Sequence, residues 1–197
     1  MDIEGGLLPT SEFKTAEGSG LQGLLVGDFW KWAYSDLVSN ISRGTLAEFI
    51  VAALLGAIDH ARDPWAAYDI TTSVGLRVEV KSSGYKQAWH QAKPSRLSFS
   101  IGRAAVFDQT RNDYEESPPR RPSDVYVFCV LGTETLEVID PLDLSTWTFF
   151  VVPTTVLDDQ MGAQKTASLP TIERLASPVA AASLAAAVES ASATREA

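Results

Sequence analysis

Two alternating runs joined by a short turn constrain this chain more than any other feature. In Leu76–Ser82, Val78 and Val80 share one face while Glu79 and Lys81 share the other. In Ala66–Thr72, Tyr68 and Ile70 share one face, and Asp69 and Thr71 the other. Thr72-Ser-Val-Gly75 between them is a turn signal. A sheet that buries one face must align these faces across the hairpin, because a one-residue slip would set valines against aspartate. Parity therefore predicts the pairs Tyr68–Val80, Ile70–Val78 and Asp69–Glu79. Directly opposed side chains have Cβ atoms about 5 Å apart. Two carboxylates and the Lys81 ammonium are thus expected in one small volume.

Carboxylates at that separation repel, and a divalent cation removes the conflict. Mg²⁺ prefers carboxylate oxygens, keeps several waters and is usually held by one or two protein carboxylates. An ammonium two residues along the same face can orient a nucleophile or stabilise developing charge, the layout that metal-assisted hydrolysis needs. A third acid is Glu48, the only charged residue between Arg43 and Asp59, in a helical stretch rich in Leu, Ile, Val and Ala. Two placements stay open for it. It lies on a narrow solvent stripe with Thr45, or it points into the acidic cluster, where a metal would offset the cost of its burial.

The rest of the chain frames this unit. At 197 residues, with 45% hydrophobic and 21% charged content, the chain is expected to form one domain spanning 1–197. Residues 1–28 are glycine-rich and weakly patterned and read as an irregular arm. Helices are expected from Phe29 to Val38, capped by Asp28, and from Gly44 to Ile58, capped by Ser42. Ser83 to Lys93 reads as a loop or a short helix, and Leu97 to Gly102 as a strand. Asp108 to Asp124, with its Ser-Pro-Pro-Arg-Arg-Pro, reads as an exposed loop. Further strands are expected at Val125–Leu131, Leu136–Ile139 and Trp147–Val152. C-terminal helices over 170–190 follow, one opened by Pro170 and one by Ser177-Pro178. This order implies a mixed α/β sheet rather than a regular doubly wound one.

With Asp69, then Glu79-Val80-Lys81, and Glu48 on the preceding helix, the chain resembles the PD-(D/E)XK nuclease superfamily. Tyr68 stands where the motif's name has proline. Trp65, Tyr68-Asp69 and Glu79-Val80-Lys81-Ser82-Ser83 are also similar to a stretch shared by a group of bacterial proteins. The resemblance implies a restriction-endonuclease-like αβββαβ core, a mixed sheet flanked by helices, over residues 43–152. It implies Mg²⁺, with Mn²⁺ as a substitute, held by Glu48, Asp69, Glu79 and the Val80 carbonyl, and Lys81 serving the attacking water. Gln87 would be an accessory near the site; a place on a polar helix face with Gln91 is the other reading. The implied partner is nucleic acid, DNA before RNA.

The net charge of −9 argues against indiscriminate binding to nucleic acid. Between Arg77 and Arg121, however, nine basic residues face five acidic ones, which permits a polyanion partner. Targeting would then come from loops, from a homodimer or from a partner protein. No apolar run is long enough for the roughly 20 residues of a membrane span. The acidic N-terminus lacks signal-peptide character, and the single Cys129 in an apolar run fits a buried strand in a reducing cytoplasm. The acidity also favours the rival expectation, a catalytically silent binding or assembly module on the same fold. Other signals carry less. Gly18-Ser-Gly-Leu-Gln-Gly23 lacks a buried strand before it, His60 and His90 lack ligand spacing, and Ser82 and Ser83 lack a base. Tyr85 and Trp89 pack or stack on a base, and Arg120-Arg121 reads as a solvated loop or a phosphate contact.

Overall fold

Val125-Tyr-Val-Phe-Cys-Val-Leu131 carries no charge and is buried at every position, so it belongs in the middle of a sheet covered on both sides. It does so in the computed structural model, which describes residues 6–108, 110–135 and 137–193. The chain starts with a hairpin of β1 (Glu12–Lys14) and β2 (Gly20–Leu25), then α1 (Val26–Tyr34) and α2 (Asn40–Leu54). Next come β3 (Ile70–Thr71), β4 (Arg77–Gly84), β5 (Ser98–Ser100), and a small hairpin of β6 (Phe107–Asp108) and β7 (Asp113–Tyr114). The central β8 (Val125–Leu131) and β9 (Trp147–Pro153) precede α3 (Thr154–Met161), β10 (Thr166–Ser168), α4 (Leu169–Leu175) and α5 (Leu184–Ala193).

The main sheet has the order β3-β4-β8-β9, with β4 and β8 parallel and the outer pairs antiparallel. This is a mixed sheet in an α/β architecture. Strand parity splits the core in two. Val78, Val80, Val127 and Cys129 pack with Val51 of α2 and Leu184 of α5. Tyr126, Phe128 and Val130 pack on the other face with Phe99 of β5, Leu157 of α3 and Ile172 of α4. Each fully buried side chain of this kind is worth about 1.5–3 kcal/mol over its exposed state.

Several expectations shift. The described part of the N-terminal arm, from residue 6 onward, contains β1 and β2, and α1 starts earlier than expected, at Val26. Asp28 lies inside its first turn and accepts the Leu25 N–H at 2.9 Å. Helix α2 starts at Asn40, because Ser39 accepts the Ser42 N–H at 3.4 Å and displaces Ser42 as the cap. Residues 85–93 form a loop, not a helix. The second helix of an αβββαβ order is missing: between β5 and β8 the described residues form loops and the β6–β7 hairpin. Strand β5 pairs with β10 and not with β4. The expected strand at Leu136–Ile139 does not form over 137–139, and Leu136 lies outside the described residues. Pro178 does not open the last helix either. Val179 instead exchanges two backbone hydrogen bonds with Phe149, and α5 begins at Leu184. Among the described residues no helix is long and apolar enough to cross a membrane.

Candidate functional site

The parity argument holds where the strands pair: Ile70 lies opposite Val78. Pairing then stops, for β3 is only Ile70–Thr71, and the chain leaves the ladder at Asp69. The Asp69 backbone N–H still reaches the Val78 carbonyl, at 3.2 Å. Its carboxylate does something the alternation did not suggest. Oδ2 accepts the Val80 N–H at 2.7 Å, the bond that continued pairing would have given to a backbone carbonyl. Asp69 therefore sits at the rim of the sheet, as a substitute for the strand that ends there. A strand residue turns its N–H and C=O to the same side, so the Val80 carbonyl faces the same rim.

Glu79 and Lys81 project from β4 on the Tyr126 and Phe128 side of the sheet, with Glu79 level with Tyr126. Lys81 Nζ donates to Glu79 Oε1 at 2.5 Å. Glu48 comes from α2, on the opposite side of the sheet, and does not lie on an open solvent stripe: its side chain is 16% exposed. Both of its oxygens are held by Arg62, through Nε and through Nη2, the latter at 3.1 Å from Oε1. Glu48, Arg62 and Asp69 line a common cavity of about 300 Å³, walled by Phe49, Ile58 and Tyr68.

The charges feel one another through this half-buried rim. The Asp69 carboxyl is raised to about 7, first by burial and then by the Glu79 and Glu48 carboxylates, against the opposing pull of Lys81 and the Val80 N–H. Burial opposes charge on Lys81, yet Glu79, Asp69 and Glu48 together outweigh it and hold the ammonium above its ordinary value. Arg62 is raised chiefly by its hydrogen bonds to Glu48, with Asp69 and Asp63 contributing. Even Cys129, fully buried beneath the sheet, is raised first by burial and then by the Asp69 charge.

Gln87 does not join this group. It is buried, with Nε2 donating to the Gly84 carbonyl at 2.8 Å and to Ser95 Oγ at 3.2 Å, and Oε1 accepting from Arg43 Nη1 at 3.4 Å. It braces the loop after β4 against α2. Gln91 completes that brace by accepting the Gln87 N–H at 2.6 Å. Arg62 is the site residue that sequence reasoning missed. Its only signal was position, as a lone cation in the loop between the helix that carries Glu48 and the strand that follows Asp69.

The donors suit a hard divalent cation in kind, being carboxylate oxygens beside a strand carbonyl. In the arrangement seen, no three His, Cys, Asp or Glu side chains among the described residues converge closely enough to hold one. Glu48 is turned to Arg62, and Glu79 to Lys81 on the other side of the sheet. The three carboxylates would meet only if those two glutamates turned toward Asp69. No family model matches the chain, and no curated protein matches it.

Proposed function

We propose that this protein is a metal-dependent nuclease that hydrolyses phosphodiester bonds, DNA first among them. In this reading α2, β3 and β4 are the part of a restriction-endonuclease-like core that carries the site. One observation supports it above the rest: a half-buried carboxylate on the sheet rim accepts the Val80 N–H and is raised to about 7, first by burial and then by the Glu79 and Glu48 carboxylates. A divalent cation at Asp69 would relieve the field that the Glu79 and Glu48 carboxylates place on it. Asp69, Glu79 and Glu48 would hold Mg²⁺ or Mn²⁺, with the Val80 carbonyl as a further donor. The bound ion supplies Lewis acidity and charge compensation at a phosphate oxygen. Lys81, anchored by Glu79, keeps its proton and offers a donor to the attacking water or the phosphate.

The rival reading, a catalytically silent binding or assembly module, draws on a specific observation as well. Arg62 and Lys81 already neutralise Glu48 and Glu79 without any cation. Calorimetric titration with Mg²⁺ and Mn²⁺ separates the two. The nuclease reading expects binding by the parent that is lost in Asp69→Asn, and Mn²⁺-dependent cleavage of linear, circular or single-stranded DNA that is lost in Lys81→Ala. Absence of metal binding and of cleavage in the parent leaves the module, whereas cleavage undiminished in both variants removes Asp69 and Lys81 from the site.

A further inference from the structure

Arg62 meets the site from a different direction than any other residue in it. It lies on the segment between α2 and β3, and its side chain is 47% exposed, whereas the Glu48 carboxylate it grips is 16% exposed. The guanidinium thus covers an inward-facing acid from the solvent side, at the wall of the cavity that Asp69 also lines. Its hydrogen bonds go to Glu48, while Asp69 lines the same cavity.

Lys81 and Arg62 differ in what they can do next. Lys81 stands on β4 two residues from its partner Glu79, and the strand holds both in the site. Arg62 belongs to a loop, and its half-exposed side chain has solvent to move into. A bidentate carboxylate pair must open before Glu48 can serve as a ligand. A guanidinium released at that point lies at the mouth of the cavity, with fork geometry suited to a phosphate.

We infer that Arg62 is an exchangeable counter-cation: it holds Glu48 in the metal-free protein and passes to a phosphate of the nucleic acid when a divalent cation takes its place. This rests on the reading of the site as a metal-dependent nuclease. It carries a thermodynamic signature that a loop brace lacks. Arg62 competes with the metal for Glu48 yet favours the nucleic acid, so its removal moves the two affinities in opposite directions.

The test uses the full chain with Arg62→Gln and Arg62→Lys. Mn²⁺ affinity is read by calorimetry, and affinity for a labelled DNA duplex is read by anisotropy, with Ca²⁺ replacing Mn²⁺. Arg62→Gln is expected to bind Mn²⁺ about fivefold more tightly than the parent, since Glu48 no longer has to be freed. The same variant is expected to bind DNA about tenfold more weakly, for loss of a charge-assisted phosphate contact. Arg62→Lys, which keeps the charge and loses the fork, covers the case in which Arg62→Gln does not fold; it too should bind Mn²⁺ more tightly than the parent. If the parent binds Mn²⁺ and the variants bind it equally or less well, Arg62 only braces the loop and the inference alone falls. If neither the parent nor the variants bind Mn²⁺, the metal reading falls and takes the inference with it.

Discussion

At the scale of single residues, alternation made part of the acidic site legible and hid the rest. Parity sets Ile70 against Val78 as expected, but the expected Asp69–Glu79 and Tyr68–Val80 pairs do not form, because β3 is only Ile70–Thr71. It could not show that β3 ends at Ile70, because the bond that ends it comes from a side chain and not from a pattern. Nor could it show Arg62 on Glu48, a contact across a loop with no periodicity. The Asp69 carboxyl gives this geometry a measurable consequence. Its pKa in the folded protein is raised to about 7, so the folded state holds a proton that the unfolded chain, with an ordinary carboxyl of 3.8, has released. The sign follows from linkage. Below the ordinary value the group contributes no difference; stability is lost as pH rises toward 7 and stays lost above it. Asp69→Asn, neutral and still able to accept the Val80 N–H, should therefore melt above the parent at about pH 8 in metal-free buffer. The gap should narrow steadily between about pH 7 and pH 4. A gap that does not change with pH would mean that Asp69 is ionised throughout in the folded protein.

At the scale of elements, what could be read was whatever solvent treats uniformly. Strands β8 and β9 were plain because burial on both faces leaves an uninterrupted apolar and aromatic run. Helix α3 was not, since Thr154-Thr-Val-Leu-Asp-Asp-Gln-Met161 buries only Thr154, Leu157 and Met161, and Pro153 offers no side-chain cap. The start of α5 was misplaced because the Ser177-Pro178 signature lost to a backbone pairing of Val179 with the edge of β9. The loop before β8 shows how little a local pattern says about neighbours. Arg120 and Arg121 are adjacent and read alike, but only Arg121 is a structural anchor. Its buried guanidinium donates to the Ile101 carbonyl at 2.7 Å, the Gly162 carbonyl at 3.1 Å and Asp158 at 2.5 Å. It thereby ties the loop to α3 and to the end of β5. Arg120 pairs with the part-exposed Glu115. Arg121→Ala should cost about 3 kcal/mol, because several carbonyl acceptors lose a charged donor inside the protein. Arg120→Ala should cost under about 1 kcal/mol, as exposed pairs do. Urea unfolding of both variants decides it, and equal losses would mean that Arg121 is solvated rather than an anchor.

At the scale of the whole molecule, charge decides how this protein could meet a polyanion. The net charge is −9, and the basic middle of the sequence was the one feature that softened it. Folding spends much of that excess internally. Of the nine basic residues between Arg77 and Arg121, five are in ion pairs: Arg77 with Asp124, Lys81 with Glu79, Arg103 and Arg121 with Asp158, and Arg120 with Glu115. A count along the chain cannot foresee this, because Asp124 and Asp158 lie outside the counted stretch and reach it only through the fold. The four outside these pairs are Lys86, Lys93, Arg96 and Arg111, on a chain that is acidic overall. Binding of DNA should then release few counterions. The plot of log affinity against log salt, read by anisotropy at fixed Ca²⁺, should have a slope no steeper than about −3, against about −6 for a protein that neutralises seven phosphates. Such a shallow slope would place most of the binding free energy in the metal and the cavity rather than in a basic groove. A slope of about −6 would instead mean that these ion pairs open on the DNA and lend it their arginines.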